Sequence, residues 1–203
     1  MADAETFTQL PLQFDAESKT ISSPTPSKSL QTELSELNAL YKSISALDAP
    51  NAIPPPPVPV NPKLSASIAK LRESANTAYR ASNFTEAYRL YTLGLSMALK
   101  RPLWEPSGLV RDEVAGLYAN RAQTNMALRN WVEGLTDAKC SVEAKKGGNA
   151  KAWWRGGRCL CEMGRWEEAR EWVGRGLEVE GGEADLVRLG GEIDARLAKK
   201  ALA

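Results

Sequence analysis

With 203 residues, 43% of them apolar and 25% charged, the chain can bury a core in one or two domains. Its net charge of +1 argues against a generally basic nucleic-acid binder. Histidine is absent, which removes the commonest general base, the Ser-His-Asp and Cys-His arrangements and most zinc sites. No phosphate loop, metal-ligand spacing or catalytic carboxylate pair takes their place, so neither an enzyme nor a cofactor is expected.

The charge is unevenly spread. Residues 1–63 carry 4 basic and 7 acidic side chains, and residues 64–203 carry 22 and 18. The second part is the better host for an anionic ligand. Cys140, Cys159 and Cys161 are an odd, small set with no secretory signal before them, which fits reduced, structural thiols. No stretch approaches the ~20 apolar residues of a membrane span.

In chain order, Leu10-Pro11-Leu12-Gln13-Phe14 alternates, Asp15 to Lys19 is turn-like and Thr20-Ile21 follows, giving one or two short strands. After a Ser/Thr/Pro-rich stretch, Leu30, Leu34, Leu37, Tyr41, Ile44 and Leu47 step by three and four. That predicts one apolar stripe on a helix over 28–48. A short strand and one helix make a poor core alone. The stripe, with Leu34, Leu37 and Ile44 at its centre, is therefore expected to dock on a second chain, or else to fold back on the rest. Residues 49–63 hold Pro50, Pro54 to Pro57, Pro59 and Pro62, a semi-rigid spacer.

The remainder repeats. Asn83-Phe84-Thr85-Glu86-Ala87, Asn130-Trp131-Val132-Glu133-Gly134 and Arg165-Trp166-Glu167-Glu168-Ala169 place an aromatic and a small residue at fixed offsets. The first two read as capping boxes. Ala87, Gly134 and Ala169 mark the second helix of three pairs, and Ala75, Ala122 and Gly157 mark the first. The longer first spacing needs an insertion, expected near 101–108. Lys146-Gly147-Gly148 and Gly181-Gly182 break the helices. Leu186, Leu189, Ile193 and Leu197 follow in register, as for a capping helix over 183–203.

These residues resemble the tetratricopeptide (TPR) repeat over about 64–182, whose helix pairs recur every 34 or so residues. The resemblance implies an all-α repeat fold: three TPR helix pairs plus a C-terminal capping helix, after the small strand-helix segment of 1–48. The family's customary proline at the end of each repeat is missing. Some TPR domains carry a carboxylate clamp on their first helices, and here Arg72, Asn76, Asn120, Lys151 and Arg155 fall at the clamp registers, with Arg72 where that pattern has Lys. Residues four apart share a helix face, so Arg72 with Asn76, and Lys151 with Arg155, point the same way. Cations and amides converging from three helices suit a peptide ending in a free carboxylate. These side chains are expected to face an open groove, where truncation costs little stability.

The whole layout resembles the soluble TPR subunit of the fungal post-translational Sec protein-translocation complex. That resemblance implies a peripheral position on the cytosolic face of the endoplasmic reticulum, held by a single-span membrane partner subunit. It also implies binding to the Glu-Glu-Val-Asp tails of heat-shock protein 70 chaperones. A free cytosolic co-chaperone adaptor with the same clamp is the alternative. The sequence does not separate the seventy- from the ninety-kilodalton chaperone tail.

Overall fold

The computed structural model describes residues 9–45, 62–101 and 105–201, and the chain divides into two units, 1–58 and 59–203. In the first unit, strands β1 (Gln13–Asp15) and β2 (Thr20–Ser22) pair antiparallel, with Phe14 opposite Ile21. The Asp15 carboxylate closes the hairpin by accepting from the Glu17 amide at 2.9 Å and the Ser18 hydroxyl at 2.6 Å. Helix α1 (Lys28–Ser45) starts on Ser27, whose hydroxyl accepts from the Leu30 amide. Asn38 of α1 takes both the N–H and the C=O of Ile21, at 2.9 and 2.8 Å, so one amide side chain covers part of the free edge of β2. Leu34 is the buried apolar residue of this unit among the described residues.

The second unit is a row of helices. Its pairs are α2 (Pro62–Arg80) with α3 (Phe84–Ala98), α4 (Ser107–Ala127) with α5 (Trp131–Ala144), and α6 (Ala150–Glu162) with α7 (Trp166–Glu180), followed by α8 (Ala184–Ala201). This is the TPR arrangement with its capping helix. The expected spacer of 49–63 lies mostly outside the described residues. Its last two members, Pro62 and Lys63, begin α2 instead, since proline suits a first helical position where its missing N–H has no partner to lose.

Small residues explain the close packing. Ala75, Ala122, Ala87 and Ala169 are fully buried, and a Cβ on Gly134 would meet the Cys159 sulfur at 3.0 Å. Gly156 and Gly176 make room for an interlocked indole pair, Trp153 and Trp172, with ring centroids 4.6 Å apart. Trp172 Nε1 donates to the Trp153 carbonyl at 2.7 Å. The turns between paired helices repeat one backbone feature: Ser82, Arg129 and Gly164, each just before the capping position, all have φ between 60 and 74°. Only the third uses the residue that adopts this conformation without cost.

Two expectations change. Asn83 caps α3 by accepting from the Glu86 amide, but Asn130 makes no side-chain cap on α5, and Glu86 pairs with Arg89 rather than closing a box. The extra residues of the first spacing go mainly into helix: α4 has 21 residues against 13 in α6. The connection before α4 is pinned by the buried Arg101, which donates to Glu105 at 2.8 Å, to Glu113 at 2.9 Å and to Ser65 of α2 at 2.8 Å. Removing one member of a buried ion network costs about 3–5 kcal/mol. Arg101→Ala should therefore lower unfolding stability by roughly 3 kcal/mol, read from urea denaturation of the full chain.

Candidate peptide-binding site

The first helices of the three pairs lie side by side, with α4 touching both α2 and α6. Asn76 and Asn120 meet directly: Asn120 Nδ2 donates to Asn76 Oδ1 at 3.3 Å. The same oxygen accepts from the Tyr91 hydroxyl of α3 at 2.6 Å. Burial pushes the Tyr91 pKa up to about 12, so this donor keeps its proton. With Oδ1 so engaged, the Asn76 amide is fixed in orientation and turns its N–H groups elsewhere; one reaches Glu73 at 3.2 Å.

Arg155 departs from the expectation of an open-groove residue. It is 7% exposed, covered where α6 meets α4. Its Nη1 donates to the Ala119 carbonyl at 2.8 Å and its Nη2 to the Gln123 amide oxygen. Both acceptors are neutral, and among the described residues no carboxylate pairs with it. The other buried or half-buried arginines of the repeats differ. Arg101 has Glu105 and Glu113, and Arg121 grips Asp137 through two bonds at 2.7 and 2.9 Å. Burial pulls the Arg155 pKa below the ordinary arginine value, while nearby Tyr79 and Tyr91 act in the opposite sense. An arginine stays charged in any protein, so this is a desolvated cation with no ion pair among the described residues.

Lys151 and Arg72 are exposed and make no hydrogen bond or ion pair within the described residues. Arg72 lies along α4 at Gly116, its Nη1 3.8 Å from where a Cβ would stand. Lys151 and Arg155 line a cleft of about 120 Å³ with Gln123, Trp154, Glu183 and Asp185. The five clamp registers thus divide into a joined centre (Asn76, Asn120), a buried cation of α6 bonded to α4 (Arg155), and two cations with no ion pair among the described residues (Arg72, Lys151). What this arrangement offers chemically is a set of N–H donors and cations suited to an anion.

Several neighbours escaped sequence reasoning. Gln123 stands three residues after Asn120, a helical-face spacing that could have exposed it. Tyr91 comes from a second helix and left no signal. Trp154 is the aromatic of the cleft, whereas Trp153 and Trp172 pack inside. Arg121 is committed to Asp137 and Thr92, and Arg158 to Glu162 and Glu192.

In the first unit, Leu34 is spent on its own packing, lining with Ile21 a cleft of about 580 Å³ between β2 and α1. Ile44 is half-buried and Leu37 is 46% exposed. Tyr41, Leu10, Leu12 and Phe14 join Leu37 as exposed large apolar side chains, Phe14 at 67%. Among the described residues no helix is long and apolar enough to cross a membrane.

No protein-family profile matches the chain. It is 36% identical over 144 residues to the ER protein translocation subcomplex subunit sec67 of Schizosaccharomyces pombe, covering 70% of this chain and 74% of that one. It is 28% identical over 171 residues to the translocation protein SEC72 of Saccharomyces cerevisiae, covering 83% and 86%. A chain in the cryo-electron microscopy structure of the Sec complex from S. cerevisiae superposes with a TM-score of 0.68 at 26% identity, covering 93% of this chain and 98% of that one.

Two outcomes follow for Arg155 as a fold element. Arg155→Ala strips a bonded partner from two polar groups and should cost about 1–3 kcal/mol of stability. Arg155→Met keeps volume and removes the unpaired charge, so it should fall within about 1 kcal/mol of wild type. Urea denaturation of both variants measures the difference.

Proposed function

The chain belongs to the family of fungal ER protein-translocation subunits represented by sec67, and from that membership we propose that its groove docks chaperones delivering precursors to the translocation complex. Membership supports an accessory role in translocation at the endoplasmic reticulum. The finer reading is that Arg72, Asn76, Asn120, Lys151 and Arg155 hold the acidic Glu-Glu-Val-Asp tail of a heat-shock protein 70 chaperone by its carboxylates.

One observation carries it. Arg155 is a buried cation whose bonds go only to neutral acceptors. A buried charge is costly without a partner, and a ligand carboxylate would supply one with charge-assisted bonds. The flanking Arg72 and Lys151 extend the attraction along the groove. The joined amides of Asn76 and Asn120 add N–H donors for a carboxylate, and Asn120 Oδ1 adds an acceptor for a peptide N–H. Between a tethered subunit and a free cytosolic adaptor, the exposed apolar side chains of the first unit favour the tethered form. They suit a membrane partner subunit that would hold the chain on the cytosolic face of the endoplasmic reticulum.

Isothermal titration tests the groove. A peptide ending in Glu-Glu-Val-Asp with a free terminus should bind at micromolar level, roughly −7 to −8 kcal/mol. The same peptide with an amidated terminus should bind at least about tenfold more weakly, one lost charge-assisted bond. Arg155→Met should lose at least as much while staying folded. Equal affinity for both peptides would sink the reading. Affinity should also be flat from about pH 6 to about pH 9, because the chain holds no histidine and burial pushes the Tyr91 pKa up to about 12.

The tether is tested apart from the groove. Leu37→Asp with Tyr41→Asp should release the protein from native membranes and leave peptide affinity unchanged. Leu34 is a poor site for this test, since a charge there would break its own unit. Continued sedimentation of the double variant with membranes would point to the repeats as the tether.

A further inference from the structure

The groove carries a carboxylate of its own, and we propose that Glu73 is a built-in competitor that weakens the hold on an acidic tail and speeds its release. This rests on the reading of the groove as a clamp for carboxylates. The orientation of Asn76 is the starting point. Its Oδ1 accepts from the Tyr91 hydroxyl at 2.6 Å and from Asn120 Nδ2 at 3.3 Å, which leaves only Nδ2 to serve an anion. That nitrogen is already donating to Glu73 Oε2 at 3.2 Å. Of the two N–H groups on Nδ2 this one is taken, so a tail carboxylate drawn to it would have to displace Glu73 and the two carboxylates exclude each other there.

Glu73 is held in place from the other side. Arg80 Nη2 donates to its Oε1 at 2.8 Å and also reaches Thr77 Oγ1 at 3.3 Å. The bonds from Arg80 and then Asn76 keep the Glu73 carboxyl below its usual range, so it is ionised throughout the neutral region. Arg72 is adjacent in sequence and adds an attraction of the same sign. Glu73 thus partly neutralises the first-helix end of the groove, where Arg72 and Asn76 would otherwise present donors without a rival. Both Glu73 and Arg80 are about two-thirds exposed, so water screens the effect and the competition slows binding little. Its weight falls on dissociation, because a departing tail is replaced at Asn76 by a carboxylate already at hand. A docking subunit that must hand its cargo onward gains from quick release.

The experiment uses the full chain and a Glu-Glu-Val-Asp peptide with a free terminus, followed by titration and stopped-flow dissociation. Glu73→Gln should tighten binding by about two- to fivefold at low salt, mainly through slower release, and Glu73→Ala should act in the same direction. The gain should shrink at high salt and vanish in an Asn76→Ala background. Wild-type affinity or weaker binding in both Glu73 variants, folded by circular dichroism, would overturn the proposal. So would a gain that survives Asn76→Ala, which would mean a general field effect rather than rivalry at one N–H. If wild type fails to distinguish free from amidated peptide, the clamp reading itself falls and takes this inference with it.

Discussion

A guanidinium that is desolvated but paired only with neutral oxygens is the constraint around which the groove is organised. Arg155 reaches the Ala119 carbonyl and the Gln123 amide across the α4–α6 contact, so its placement depends on those helices approaching closely. Residues without bulk let α6 pack closely on its other neighbours as well. On the opposite side of α6, Gly156 and Gly157 admit Trp172 and Val173 of α7 at distances where a Cβ would stand 2.6–2.9 Å from their atoms, and Ala152 is fully buried. Burial without a carboxylate is then a consequence of packing chosen elsewhere in the helix. The charge is left for something outside the chain to answer.

The remaining arginines sharpen the contrast. Arg101 and Arg121 are also withdrawn from water, and each is met by carboxylates within hydrogen-bond distance. They fasten elements: Arg101 ties the connection before α4 to α2, and Arg121 ties α4 to α5 and to Thr92 of α3. Breaking either would leave opposite charge buried, which is why such networks hold a structure in one arrangement. Arg155 sits among comparable surroundings with its charge unsatisfied. The same residue type serves two ends, and the difference lies in the partner rather than in the arginine.

The repeat was legible because its signals are local. Ala87, Gly134 and Ala169 sit where helices touch, Gly181 ends α7 whereas α5 already ends at Ala144 ahead of Gly147-Gly148, and Leu186, Leu189 and Ile193 mark one buried face of α8. The short hairpin was visible in the alternation around Phe14 and the turn at Asp15. What escaped were facts that depend on two elements at once. Arg155 looks like any helical cation in sequence, and its burial is set by α4. Tyr91 lies on α3 yet fixes Asn76 of α2. Leu34 belonged to the right stripe but faces its own hairpin, while Leu37 three residues on faces outward. Asn130 had the capping residue and the following Glu133, but its side chain does not make the bond. Pattern gives the face of a helix; which neighbour covers that face is a tertiary matter.

The two units stand on different thermodynamic footing. The repeats bury continuous apolar clusters, from Ile68 and Tyr91 in the first pair to Trp153, Leu189 and Ile193 at the other end, and so carry their own stability. The hairpin and α1 bury Leu34 and little else among the described residues, with Phe14, Leu37 and Tyr41 left to water. So small a unit removes too little surface from water to offset the entropy of ordering its chain. A partner that covers those side chains adds burial to the folded form alone, and the stability of the unit then rises with partner concentration. The groove needs no such help to be formed. On the proposed reading, docking and tail binding would therefore be tuned separately, the first by apolar area on residues 10–44, the second by charge on three helices.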